Sequence, residues 1–450
     1  MKTLLHDQLS RVAALRPVPS SSARAASHAE GLPAAAEELA RMVAATPLRN
    51  SHGECLSVRR WFDGHDCSTA PDLAVRRLLS TVPEEAMDPS QWLFLDTETT
   101  GLAGGTGTYA FLVGLAWWDA GGLEVEQLFL RDYSEEHAVL ETLAARLAER
   151  RVLVTFNGRS FDWPLLETRY RMTRRIQASA PAAHLDLLHP ARQLWRLKLG
   201  SVRLMELEQH VLGPIDWHRE GDIPGALIPQ AYFSYLRGGG PEALSQVFRH
   251  NQMDLRGLAA LATRLISLLT DPAATADALE LYGLSRLVER RGAPEEARGL
   301  YERALAAGLP EEADRAARRE LARLAKREHD FDRATALWED ILGETREGLD
   351  AYEQLAIYYE HRARAPERAL ELTREALAAL RIAGQRGSVP AALYRRLRER
   401  LGRRLERLEG GRSRHGSAAE LFASRGGSRA SKRNPVSSAQ WKAPLGAKIG

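Results

Sequence analysis

Asp96 and Glu98 stand two residues apart in the stretch WLFLDTETTGL, at the end of an apolar run that begins at Trp92. Alternate side chains of a strand share a face, so both carboxylates project from one side of the strand's end. A bare Asp-x-Glu triplet arises by chance about once in ~300 positions, so the pair gains meaning only from further acids that join it. Two later segments supply them. TFNGRSFDWPLLETR (155–169) ends an apolar strand at Asn157 and opens a helix near Asp162, and HNQMDLRGLAALATRL (250–265) carries His250 and Asp254 four residues apart. On a helix that spacing puts both side chains on one face.

The elements that must position these groups are legible around them. Apolar strands are expected at 92–96 and 109–118, separated by the flexible loop AGGTGT (103–108). The DAGG turn (119–122) then leads into a strand at 123–130. Val139, Leu140, Leu143 and Leu147 recur at helical intervals and predict a helix over 135–150. The run VLVTF (152–156) predicts a fourth strand, followed by a helix from about Trp163 and a short strand in HLDLL (184–188). Residues 1–88 hold a helix-like run at 34–45 and a strand-like one around 56–61, with no role assigned to the region.

The last third changes character. PEEARGLYERAL (294–305), FDRATALWEDIL (331–342) and PERALELTREAL (366–377) align without gaps, with Ala297, Ala334 and Ala369 in register 37 and 35 residues apart. That period is close to the ~34 residues of tetratricopeptide helical hairpins, and a small Ala followed three residues later by a large apolar side chain lets helices interlock. The full repeat consensus is missing, so a divergent array is expected over 277–408. Beyond Leu408 the chain becomes rich in Gly, Ser, Arg and Lys, a composition that predicts a disordered basic tail over 409–450.

At 450 residues the chain is too long for one ordinary core. Its 62 Lys and Arg against 59 Asp and Glu leave only +3, which selects no partner by itself. Cys55 and Cys67 lack the second pair of a four-cysteine zinc site and are read as reduced thiols. The N-terminal apolar run stops after Leu5, and the longest internal candidate, 258–269, is interrupted by Arg264 and too short to span a bilayer. A cytoplasmic location without membrane contact is the default expectation.

The three acidic segments, in this order, resemble the motifs of DEDD-type 3′→5′ exonucleases of the ribonuclease H-like superfamily. GTGTYAFLVGLA (105–116), HLDLLHPARQLW (184–195) and the leucine-rich segment before HNQMD are similar to the YprB-like branch. The resemblance covers roughly 92–269, and some members of the branch carry comparable helical repeats. It implies an α/β ribonuclease H-like domain over 89–270, with a mixed sheet whose first three strands are antiparallel, followed by an all-α tetratricopeptide-like array. It also implies that Asp96, Glu98, Asp162 and Asp254 hold two Mg²⁺ or Mn²⁺ ions. Asp96 would bridge the ions, Glu98 and Asp254 complete one site, and Asp162 act through the other. The family sets its general base as Tyr four residues before the last Asp or His five before it. This chain has His250 at the tyrosine distance, which leaves the base open between His250 and a water oriented by Asn251.

Physical chemistry asks for such a cluster independently of the resemblance. A phosphodiester is already negative, and attack by hydroxide adds charge that hard cations offset. Four clustered carboxylates would repel one another without such a cation. The expected activity is therefore a metal-dependent nuclease acting on single-stranded DNA or RNA ends. The rival from another class is a scaffold that grips nucleic acid while its repeats recruit a protein partner.

Other residues admit two readings each. Asn157 fits a turn former or a substrate-positioning group, and Thr99, Leu102, Phe161 and Asn251 are candidate substrate contacts. Phe161, Trp163 and Tyr109 are commoner as core than as base-stacking platforms. Asp186 fits an acid that assists the site or, the favoured reading, an N-cap or structural hydrogen-bonding acid. Arg192, Arg196, Lys198 and Arg203 fit either phosphate contacts or a solvated basic face.

Overall fold

A computed structural model describes residues 34–63, 72–79, 83–101, 106–119, 121–177, 180–213, 215, 217–344 and 348–425. Helix α1 (34–43) leads into strands β1 (Thr46–Asn50) and β2 (Gly53–Asp63), and helix α2 (Asp72–Leu78) follows. β3 (Trp92–Thr99), β4 (Ala110–Asp119) and β5 (Gly122–Phe129) come next, then α3 (Glu136–Glu149), β6 (Val152–Thr155), α4 (Asp162–Thr173) and β7 (Ala183–Asp186). Five helices complete this part: α5 (Leu188–Leu199), α6 (Leu204–His210), α7 (Ile228–Leu236), α8 (Glu242–Thr270) and α9 (Ala278–Arg290).

Among the described residues seven strands join one sheet in the order β1-β2-β5-β4-β3-β6-β7. Every pairing from β1 to β3 is antiparallel, whereas β3–β6 and β6–β7 are parallel. The architecture is thus the α/β mixed sheet with antiparallel first strands, followed by helices, that the resemblance implied. Strand β4, AFLVGLAWWD, reads as an almost unbroken apolar run because its first nine residues are buried. Gly121 at φ +84° makes the tight link from Asp119 to Gly122, opposite partners in the β4–β5 register.

Strand β2 contains the expected run at 56–61 and pairs with β5 along eight residues, so the sheet begins well before residue 89. Cys55, Leu56 and Val58 are buried in its core. Helices α1, α3, α4 and α7 cover the face that holds Phe111, Phe129 and Tyr232, where the rings of Phe111 and Tyr232 stack at 4.1 Å. Each such side chain withdrawn from water contributes about 1.5–3 kcal/mol. The long helix α8 buries Leu244, Val247, Phe248, Asn251, Leu255 and Leu258, a spacing of three and four residues that keeps one stripe inward.

The chain divides into compact units at Ala317 and Arg318. The first therefore also holds α9 and α10 (Pro294–Ala306). Trp195 of α5 donates to Glu280 of α9 at 3.0 Å, and a Cβ on Gly283 would lie 2.7 Å from Leu194 Cα, which explains the glycine. Helix α11 (Glu311–Arg327) precedes α12 (Phe331–Glu344), α13 (Leu349–His361), α14 (Pro366–Gln385) and α15 (Ala391–Arg425). The aligned alanines Ala297, Ala334 and Ala369 are all fully buried, in keeping with their close-approach role. Helix α15 carries through Arg425, beyond the point at 409 where a disordered tail was expected; Arg374 pairs with Glu409 at 2.7 Å, and Glu360 receives Arg407. Residues 426–450 lie outside the described residues, as do Cys67 and Leu102. Among the described residues no helix is long and apolar enough to cross a membrane.

Candidate active site

β3 and β6 run parallel, and their carboxyl ends open on the same edge of the sheet. In open α/β sheets that edge is where ligands bind. β3 outruns its pairing with β6, which stops at Phe94, so Asp96 to Thr99 extend past the neighbouring strand. A register shift at Glu98/Thr99 against β4 bends this end, the kind of irregularity that re-aims side chains next to sites.

Beyond β6 the chain turns sharply through 156–161. Asn157 holds φ +70°, a left-handed conformation that Asn tolerates better than most residues. Its amide donates to Asp186 at 2.8 Å, as do those of Arg159 at 3.2 Å and Leu188 at 3.1 Å. Asp186 is thus bound up in structural hydrogen bonds to three backbone amides. The turn delivers Asp162 to the start of α4, where the Thr97 hydroxyl donates to it at 2.5 Å and the Thr97 amide at 3.2 Å. One β3 residue thereby couples two of the acidic motifs.

Asp96, Glu98 and Asp162 line a cavity of about 550 Å³ together with Thr99, Asn157 and Phe161. Phe161 is 59 % exposed, so of the three aromatics considered it stands on the cavity wall rather than in the core. Tyr109 instead lies under the Arg169 guanidinium at 3.8 Å, and Trp163 donates to Glu167 at 3.1 Å. Thr99 bonds back to the Gly101 carbonyl at 2.9 Å.

The last helix brings the remaining groups. Asn251 is fully buried and donates to Asp96 Oδ2 at 2.8 Å, while its own carbonyl accepts from Gln127 of β5 at 2.8 Å. Asn251 was a candidate substrate contact; buried between Gln127 and Asp96, its amide orients the carboxylate instead. Gly114, opposite Asp96 in the β3–β4 register, makes room for it, since a Cβ there would sit 2.2 Å from the Asn251 oxygen.

His250 and Asp254 project from one face of α8, with Nε2 and Oδ2 3.5 Å apart. The other imidazole nitrogen, Nδ1, faces Asp222 at 2.8 Å, so the ring lies between two carboxylates. Arg219 donates to Asp254, to both oxygens of Glu208 at 2.6 Å and to Asp222 at 3.2 Å. Asp222, Arg219, Glu208 and Gln127 have no signature in the sequence, because residues of a loop, of α6 and of β5 meet α8 only through tertiary packing. The Arg219 side chain is 9 % exposed. Arg219→Gln, which strands three carboxylates, is expected to cost on the order of 3 kcal/mol in urea unfolding. A loss under about 0.5 kcal/mol would contradict this account of the pocket.

The electrostatics show a site short of positive charge. Burial, then Asp254, Glu98 and Asp162, push the Asp96 carboxyl well above the usual carboxylate range. Glu98 is pushed up to about 8 by burial and by Asp254, Asp162 and Asp222. Burial also raises Asp162, partly opposed by the Thr97 hydrogen bonds. Among the described residues no three Asp, Glu, His or Cys side chains already stand in a metal-holding arrangement, and the charge of Asp254 is engaged by Arg219. The donor set nonetheless fits a hard divalent cation: its oxygens are carboxylates, and their mutual repulsion is what such an ion relieves.

The model of the RNase_H superfamily matches residues 93–266, which contain all four acids. A curated relative, described as uncharacterized protein YprB of Bacillus subtilis (strain 168), is 30 % identical over 304 residues, 67 % of this chain and 72 % of the relative.

Proposed function

The chain belongs to the RNase_H superfamily, in the family of YprB, and from that premise we propose that it is a divalent-metal-dependent nuclease of DEDD type, acting as a 3′→5′ exonuclease on single-stranded ends. The observation that carries this reading is the convergence of three acids from two separate segments on one cavity, with Asp254 the strongest charge acting on Asp96 and Glu98. Asp96, Glu98, Asp162 and Asp254 would hold Mg²⁺ or Mn²⁺, two ions in this reading. Bound there, the metal would lower the pKa of an attacking water and offset charge on the phosphate.

The chain's own residues have definable parts. Asn251, fixed by Gln127, holds the Asp96 oxygen in place. Thr97 fixes Asp162. His250, oriented by Asp222, offers Nε2 as the acceptor for the proton of the attacking water. Phe161, exposed on the cavity wall, offers a face on which a terminal base stacks. We read the repeats after α9 as a divergent tetratricopeptide-like array whose partner is a protein, and the folded domains as 89–270 extended by the strands that precede it.

The test is incubation of the purified full chain with end-labelled single-stranded DNA and RNA, with Mg²⁺, with Mn²⁺ and with chelator. Stepwise shortening from the 3′ end that stops in chelator is the expected result. Binding of the strands without any shortening in either metal would overturn the nuclease reading in favour of a nucleic-acid-gripping scaffold. His250→Gln is expected to lower kcat about 10²-fold on the same labelled strands. An unchanged kcat would move the base elsewhere.

A further inference from the structure

The turn 156–161 separates two cavities of opposite character. Asn157, Ser160 and Phe161 line the acidic one, and Arg159 lines a second of about 360 Å³ beside the edge strand β7. The second holds four guanidinium groups, Arg77, Arg159, Arg290 and Arg291, and one carboxylate, Asp186. That carboxylate is 5 % exposed and already accepts three backbone amides, so little of its charge reaches the cavity.

Arg77 is balanced by Glu296. The others are not balanced. Arg159 donates to the His184 carbonyl and Arg291 to the Leu78 carbonyl at 2.7 Å; among the described residues no carboxylate pairs with Arg159, Arg290 or Arg291, and all three are exposed. His184 forms a hydrogen bond with Thr155 at 2.8 Å and stays neutral, held down to about 4 by burial and by Arg159. Helix α5 begins at this cavity, and its first turns add the positive end of a helix dipole. From there the basic character continues outward. His189, Arg192 and Arg196 are exposed at spacings of three and four residues, one face of α5.

Three arginines without a carboxylate partner among the described residues, set around a concave pocket, match the tetrahedral oxygens of a phosphate, with planar forks suited to bidentate contact. The pocket is one turn of chain away from the acidic cavity, and the α5 stripe leads away from it. We propose that this basic cavity is a second, non-hydrolytic site that grips a backbone phosphate of the polynucleotide whose end lies in the acidic cavity, with α5 guiding the strand beyond it. The proposal rests on the nuclease reading for the identity of the strand, but its test does not depend on turnover.

Binding of a short fluorescein-labelled single-stranded oligonucleotide to the full chain is measured by anisotropy in chelator, over a range of KCl. The proteins are the parent, Arg290→Gln, the double variant Arg159→Gln/Arg290→Gln, and Arg41→Gln. Arg41 is exposed on α1, which leads into the opposite edge of the sheet, and serves as a charge-matched control. The double variant is expected to bind about 10-fold more weakly, with the slope of log affinity against log salt reduced by about 0.7 for each phosphate the variant no longer grips. Arg41→Gln should match the parent in both quantities, and thermal midpoints report folding. An unchanged affinity and slope in a folded double variant overturns the proposal, even if the parent shortens its substrate normally. Weakened binding by a protein that hydrolyses nothing supports the phosphate site and removes the nuclease reading instead. Millimolar inorganic phosphate should leave oligonucleotide binding intact, and full displacement by it would reassign the cavity to free anions and overturn the polynucleotide assignment.

Discussion

Asp96→Asn is expected to abolish hydrolysis by at least about 10³-fold, equivalent to ~4 kcal/mol of transition-state stabilisation, while making the metal-free protein more stable. Both effects have one cause. Asp96 and Glu98 sit close together with Asp162 and Asp254 as neighbouring charges, and burial plus mutual repulsion raise the carboxyls far above their ordinary range. An amide at Asp96 removes the central charge and still accepts the Asn251 hydrogen bond.

The sign follows from proton counting. A carboxyl that ionises near 4.3 in the unfolded chain but at about 8 in the folded one, as Glu98 does, leaves the folded state holding more protons across that interval. Its stability is fully present at low pH and is lost as pH rises toward 8. The thermal midpoint in chelator should therefore fall by several degrees between pH 6 and pH 8.5. Asp96→Asn should flatten that slope, and added Mg²⁺ should do the same for the parent by supplying the missing charge. Calorimetry in chelator and in Mg²⁺ measures both. A parent midpoint that does not respond to divalent cations, together with a variant that still degrades substrate, would remove Asp96 from the chemistry.

Gly114→Ala carries the second large expectation, and it concerns a residue with no chemistry of its own. A Cβ at this position meets the Asn251 oxygen at 2.2 Å, the amide nitrogen at 2.7 Å and the Asn251 Cγ at 2.8 Å. Asn251 cannot retreat easily, since it is fully buried and tied to Gln127 and Asp96. One methyl group should therefore cost roughly 1–3 kcal/mol through overpacking and turn Asp96 out of register, with kcat falling about 10²-fold. Urea unfolding and initial rates on labelled substrate separate the two consequences. A companion variant, Gln127→Leu, should keep the packing but free the Asn251 amide, lowering kcat by about 10-fold with a smaller loss of stability. Full activity in a folded Gly114→Ala protein would show that the Asn251–Asp96 bond does not position the site.

Much of the frame was legible along the chain. The apolar runs that became β3 to β7, the helix carrying Val139 and Leu143, and the placing of Asp96, Glu98 and Asp162 at element ends all come from side-chain periodicity, which is local information. So do the buried repeat alanines, which mark helices that pack closely whatever their neighbours. The four candidate acids were nameable from the resemblance to the DEDD motifs, and three of them, Asp96, Glu98 and Asp162, line one cavity.

Tertiary structure alone decided the rest. Residues 46–63 gave only a weak strand signal, because β2 is buried at 55–58 and largely exposed thereafter, and its membership of the sheet depends on β5. Asn251 had the appearance of a substrate contact until folding put Gln127 above it and Gly114 beside it. Arg219 and Asp222 lie in a loop with no periodicity, yet they hold Asp254 and His250. Long-range convergence of this kind depends on packing between segments tens of residues apart, and no spacing within a single segment encodes it.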